Sequence, residues 1–185
     1  ADYVSLRDST KATYRGIIER FRADHGDKRV ANLEARHVRQ IIASKADTPS
    51  AANNLLRILR LIMRHAVELG WRRDNPTTGV RKVKVKSSGF TTWSEDHIAA
   101  FLDHHQPGSR ARLALMLLLY TGQRRSDVVR MGRQHVRDGV LSITQQKTGT
   151  LIDVPVLGEL QAAIDALPKE NLTFLTTAQG KPFSP

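Results

Sequence analysis

Residues 117–127 read Leu117-Leu118-Leu119-Tyr120-Thr121-Gly122-Gln123-Arg124-Arg125-Ser126-Asp127. The apolar run from Leu113 to Tyr120 predicts a buried helix, and Thr121-Gly122 predicts its end. Val128, Val129 and Met131 then predict a short further helix. Arg124 falls at the junction of the two, where packed elements hold the backbone. Asp127, three residues on, is expected on the same helical face, where it can orient neighbouring groups. A guanidinium has forked donors that match two oxygens of a phosphate, so Arg124 is a candidate for stabilising charge on a phosphodiester.

Working outward from that junction, Val140 to Thr144 and Leu151 to Val154 are rich in β-branched residues, and Lys147-Thr148-Gly149-Thr150 can turn between them. Lys147 would sit at the tip of this hairpin. A tuned lysine there could protonate a leaving oxygen. Leu160 to Leu167 predicts a helix stopped by Pro168, and Thr173 to Thr176 a short strand. On the other side of the box, Ser94 is expected to cap a helix, with Trp93 and Ile98 as a hydrophobic staple.

Residues 1–75 read as all-helical. Tyr14, Ile17, Ile18 and Phe21 follow helical spacing, with Ser9 or Thr10 as N-cap. Val38, Ile41 and Ile42 mark a second helix. Thr48-Pro49 opens a third through Leu55, Leu56, Leu59, Ile62, Met63, Ala66 and Val67, ended by Gly70. Residues 77–90 alternate Val80, Val83 and Val85 with Arg81, Lys82, Lys84 and Lys86, and their position between two helical units predicts a linker rather than an edge strand. The whole is mainly α with a small β-hairpin or sheet, an α+β chain.

Charge separates the two halves. Residues 1–88 hold 19 Lys/Arg against 9 Asp/Glu, whereas residues 89–185 hold 10 against 9. Such asymmetry points to a polyanionic partner, duplex DNA or RNA, for the first half. Arg57, Arg60 and Arg64 lie at i, i+3 and i+7 on the third helix, with Asn53 and Asn54 near its start able to reach base edges. Lys11 and Arg15 can add phosphate contacts from the first helix, and Arg81, Lys82 and Lys84 from the linker. No stretch is long and apolar enough for a membrane span, and Ala1-Asp2-Tyr3 carries no signal-peptide pattern. The absence of cysteine rules out disulfides and is compatible with a reducing compartment. His104 and His105 are adjacent and expected on different helix faces. Neither they nor His97 gain an acid or cysteine at ligand spacing, so no metal and no cofactor are expected. His37, His65 and His135 read as packed or surface residues.

The box Leu117–Asp127, the hairpin Gln146-Lys147-Thr148-Gly149 followed by Val154-Pro155, and the N-terminal Ser9-Thr10-Lys11-Ala12-Thr13-Tyr14 and Glu68-Leu69-Gly70-Trp71 through Asn75-Pro76 together resemble the tyrosine recombinases, specifically phage-type integrases. The resemblance covers essentially the whole chain. It implies a helical, SAM-like core-binding domain over 1–80, a basic linker over 81–90, and the N-terminal half of a catalytic domain over 91–185. It also implies site-specific recombination of double-stranded DNA through a 3′-phosphotyrosine, in a synaptic tetramer and without metal or nucleotide. Arg124 would be the first of two catalytic arginines, Lys147 the general acid, and Asp127 the supporting acid.

One departure matters. The family's later histidine–x–x–arginine box and its C-terminal tyrosine do not occur in the sequence, and Tyr3, Tyr14 and Tyr120 are not expected to serve as nucleophile. The expectation is therefore a piece of a longer recombinase that does not itself cleave DNA, working in the bacterial cytoplasm in association with the nucleoid. The competing expectations are a non-enzymatic DNA-binding regulator or decayed integrase, and a basic helical scaffold for RNA.

Overall fold

The computed structural model describes residues 3–184. Ala1, Asp2 and Pro185, which end the expected domains, lie outside the described residues. The chain divides into two compact units, 1–89 and 90–185.

The first unit is built on α1 (Asp8–His25), α2 (Ala35–Ala43) and α3 (Pro49–Glu68). Helix α3 is its axis. Ala52, Leu55, Leu56, Leu59, Met63 and Ala66 repeat at helical spacing and are almost fully buried. Val38 and Ile42 of α2 meet them. Proline at the first position of α3 loses nothing, because that N–H would have no partner inside the helix. Thr48 precedes it, but its hydroxyl bonds the Lys45 carbonyl rather than capping. The start of α1 also departs from expectation: the helix begins at Asp8 behind Arg7, with no side-chain cap from Ser9 or Thr10. Gly70 follows α3 with φ 72°, a left-handed conformation in which a Cβ would be strained.

Residues 80–83, within the stretch 77–90 expected to be a linker, are part of this unit. Val80 is 3 % exposed, and Val83 packs against the same core. The Asn53 side chain accepts from the Val83 N–H and donates to the Val83 carbonyl, each at 2.9 Å. The Arg60 guanidinium donates to the Val80 carbonyl at 2.6 Å. An isosteric Asn53→Leu substitution leaves both Val83 backbone groups unpaired. It is expected to destabilise the unit by about 1–3 kcal/mol and to speed hydrogen exchange at the Val83 amide; unchanged exchange there would show that the tie is not what holds the segment.

The second unit holds α4 (Glu95–His104), α5 (Arg110–Thr121), α6 (Arg125–Val128), β1 (Val136–Arg137), β2 (Val140–Thr144), β3 (Leu151–Pro155) and α7 (Gly158–Asp165). The strands form one antiparallel sheet in the order β1-β2-β3, with Ile143 opposite Ile152. Strand β1 is additional to the expected hairpin, and its two residues are too few to leave a periodic signal. Leu117, Met131, Leu141, Ile143, Leu160 and Ile164 make the core.

Helix α5 is not buried all round. Only Leu113, Leu117 and Thr121, four residues apart, are buried, while Leu118 and Leu119 are 39 % and 49 % exposed. A helix packed on one side covers only one stripe, however apolar its sequence. Ser94 caps α4 as expected, and the Trp93 ring meets Phe101, with ring centroids 5.6 Å apart. Residues 173–176 form no strand. They are held by a bond from the Phe174 N–H to the Met131 carbonyl and by an isolated bridge from Thr176 to Pro182.

Candidate active site and nucleic-acid interface

Thr121 and Gly122 make the turn that carries the arginine box. Gly122 ends α5 at φ 61°, a left-handed conformation that glycine adopts without strain. The chain then runs out to Arg124, which has extended backbone and stands as the N-cap residue of α6. Its side chain is exposed, as is that of Lys147. One turn later the chain folds inward, and Asp127 is 0 % exposed. Arg124 and Asp127 therefore face different ways, unlike the shared face expected from their spacing, because an N-cap residue is not yet on the helical spiral.

Asp127 reaches from α6 to the hairpin. Its Oδ1 accepts the Gln146 N–H at 2.7 Å and lies 3.7 Å from the Arg130 guanidinium. Its Oδ2 is buried with no hydrogen-bond partner among the described residues. Beside it, the Gln145 amide donates to the Gln123 Oε1 at 2.7 Å, and the Gln123 amide donates to the Thr121 carbonyl at 3.0 Å. On the far side, the Thr148 hydroxyl donates to Gln145 Oε1 at 2.7 Å. The residues flanking Arg124 are thus tied to the residues flanking Lys147. The two cations stay exposed while their neighbours lock box to hairpin, which limits the relative movement of the two charges. Gln123, Gln145 and Thr148 were not singled out from the sequence. Their only sequence signal is adjacency to the two cations, since an amide pair 22 residues apart leaves no periodic trace.

The three tyrosines have different surroundings. Tyr3 is exposed. Tyr14 lies beneath the Arg57 guanidinium, 5.4 Å from ring centroid to cation. Tyr120 donates a short hydrogen bond to Glu159, which, with burial and the Glu159 charge, raises its phenol above the ordinary value against a smaller opposing effect of Arg112. The neutral phenol is the form the fold favours. Its contribution to stability is therefore complete below about pH 10 and lost as pH rises through the raised folded value. Tyr120→Phe is expected to abolish the latest component of an absorbance titration of tyrosinate; a late component that survives would place the raised group elsewhere.

In the first unit the candidate DNA residues have unequal freedom. Arg15 and Arg57 are exposed, as are Arg81, Lys82 and Lys84. Arg64 is exposed and 3.9 Å from Glu68, and Lys11 is 3.8 Å from Asp8. Such surface pairs, the first exposed on both sides and the second with Lys11 half-buried, are weak and open readily to a phosphate. Asn53 and Arg60 are engaged within the unit, Asn53 through both ends of its amide. Both residues, expected at DNA, also hold segment 80–83, whose backbone groups need partners.

The rings of His104 and His105 lie against each other, 4.8 Å apart, rather than on separate faces. Among the described residues no group of three or more His, Cys, Asp or Glu could hold a metal ion, and no helix is long and apolar enough to cross a membrane.

No protein-family model matches the chain. It is 28 % identical over 176 residues to the integrase of Escherichia phage HK022, an alignment covering 94 % of this chain and 47 % of that protein. The chain spans about half the length of the curated relatives it matches. Its fold superposes on a lambda integrase dimer bound to a COC′ core site with a TM-score of 0.84 at 20 % identity, covering 97 % of this chain and 68 % of that one. It also superposes on the Tn1549 transposon integrase in complex with circular intermediate DNA, with a TM-score of 0.73 at 15 % identity and coverage of 97 % and 69 %.

Proposed function

We propose that this chain, kin to phage integrases in sequence and built on the fold of the tyrosine recombinases, supplies the DNA-binding half and part of the catalytic centre of a site-specific DNA recombinase. Residues 1–80 are its core-binding domain, 81–90 a basic linker whose first residues pack back onto that domain through Val83, and 91–185 part of its catalytic domain. The observation that carries the reading is the lock between the Arg124 box and the Lys147 hairpin through Asp127 and Gln123. A solvated pair of unrelated cations needs no such lock. Arg124 stabilises the charge that builds on the scissile phosphate, Lys147 protonates the departing 5′ oxygen, and Asp127 holds the hairpin in place. The nucleophile comes from outside these residues, so this chain binds DNA without cutting it. The partner is double-stranded DNA in the bacterial cytoplasm, with synaptic tetramers formed by the whole recombinase. Neither metal nor other cofactor takes part.

Two measurements test this. The native reading frame past the Pro185 codon should encode a histidine–x–x–arginine box and then a tyrosine. A stop codon there, or covalent capture of a nicked duplex by this chain alone, overturns the assignment; the stop would favour a DNA-binding regulator.

In the first unit, Arg57 and Arg15 contact phosphates, with Lys11, Arg64, Arg81, Lys82 and Lys84 in support. Arg57→Gln is expected to weaken duplex binding and to reduce the slope of log affinity against log salt by about 1. An unchanged slope removes Arg57 from the interface.

A further inference from the structure

Helix α1 has an apolar stripe, yet none of its residues is fully buried. The reason lies beside it. A groove of about 910 Å³ runs between α1 and α2 over the second half of α3, within the range of sites that hold ligands. Its floor is aliphatic and aromatic: Ile18 and Phe21 from α1, Leu33 and Ile41 from the α2 side, Ile62 and Met63 from α3. Most of these side chains are only partly covered. Its rim is basic, with Arg22, His25, Lys28, Arg29 and His37, and among the described residues no aspartate or glutamate lines it.

The rim residues differ in availability. Arg22 pairs with Glu19 at 2.8 Å, and the His37 ring accepts the Glu34 N–H at the start of α2. Lys28 and Arg29 are exposed and make no ion pair with a carboxylate among the described residues, although the Lys28 amine lies 3.2 Å from His25 Nδ1. They stand where α1 ends, so the groove has a cationic end and an apolar body. The walls run from Ile18 to His25 and from His37 to Ser44, about two helical turns each.

We propose that this groove docks a short acidic amphipathic helix of a partner protein. Apolar side chains at i, i+3 or i+4, and i+7 of that helix would cover the floor, and its carboxylates would meet Lys28 and Arg29. Nucleic acid fits less well. Phosphates can reach the rim, but a polyanionic backbone has no aliphatic face to cover the floor. Ile62 and Met63 also lie five and six positions beyond Arg57, on a different side of α3 from the cation proposed to meet phosphate. The inference is independent of the proposed recombinase chemistry.

The test titrates the whole chain with a capped helical peptide of about 14 residues, leucine at the anchor positions and glutamate elsewhere, beside a twin with lysine for every glutamate. The glutamate peptide is expected to shift the methyl resonances of Ile18, Ile41 and Ile62, and the lysine peptide is not. The double variant Lys28→Glu/Arg29→Glu should keep its fold and bind the glutamate peptide roughly tenfold more weakly. Three results overturn the proposal: no methyl shift at peptide concentrations near ~1 mM, equal binding of both peptides, which would mark simple apolar adhesion, or displacement of the peptide by duplex DNA, which would give the groove to nucleic acid.

Discussion

Asp127→Ala is expected to lower the unfolding free energy by about 2 kcal/mol and to release the Lys147 hairpin from the arginine box. Two effects oppose each other. Removing the carboxylate takes the Asp127 acceptor from the Gln146 N–H and leaves Arg130 without this counter-charge. Hydrogen bonds to charged groups are worth about 1.5–3 kcal/mol. In the other direction, Oδ2 is buried with no partner among the described residues, so the wild type carries a desolvation cost that alanine relieves. The first effect is larger, because alanine also opens a small cavity at a fully buried position. Asp127→Asn keeps an acceptor for Gln146 and should fall between the two. Urea unfolding gives the stability, and amide exchange gives the location. Protection should fall at Gln146 and persist at the β1–β2 pairs. A variant as stable as wild type, with Gln146 still protected, would mean that the lock is held by Gln123 and Gln145 alone.

Gly132→Ala carries a comparable or larger penalty, for a steric reason. Gly132 has φ −155° and ψ 175°, an extended backbone open to any residue. The limit is space. A Cβ there would stand 2.0 Å from the Leu172 carbonyl oxygen. The nearby Gln134 side chain can swing away, but the Leu172 backbone cannot do so cheaply. It is fixed by the bond from the Phe174 N–H to the Met131 carbonyl, and Phe174 and Leu175 are 4 % and 5 % exposed in the core. Relief means withdrawing residues 172–175 and exposing two large side chains. The expected cost is about 3 kcal/mol or more, at the upper end of overpacking penalties. Gly158→Ala is the matched control. Nothing lies within 4 Å of its Cβ position, and it opens α7, so alanine should be neutral or stabilising by up to about 1 kcal/mol. Equal destabilisation by both substitutions would refute the steric account.

Much of the fold was legible because its elements are strongly patterned. The stripe of α3 repeats at helical spacing over about four turns, and Thr48-Pro49 and Gly70 bracket it. Strands β2 and β3 announce themselves by β-branched residues around a turn that glycine can make. What misled the reading was local pattern taken as environment. The apolar run of α5 said helix correctly, but it could not say that Leu118 and Leu119 stay exposed. The valines of 80–85 suggested strand or linker, while the partner of that segment, Asn53, lies 30 residues earlier.

The candidate site divides along the same line. Sequence alone marked Arg124, Lys147 and Asp127, because a guanidinium after a helix end, an amine on a hairpin turn and a nearby carboxylate carry their chemistry in their residue types. It also placed the surplus of positive charge in the first half of the chain. Only the tertiary structure decided that Arg124 faces outward while Asp127 turns inward, that Asp127 and Gln123 fasten the box to the hairpin, and that Asn53 and Arg60 serve the backbone of residues 80–83. The physical reason is range. Helical spacing, strand alternation and turn chemistry act over a few residues, whereas burial and hydrogen-bond partnership belong to groups brought together across the fold.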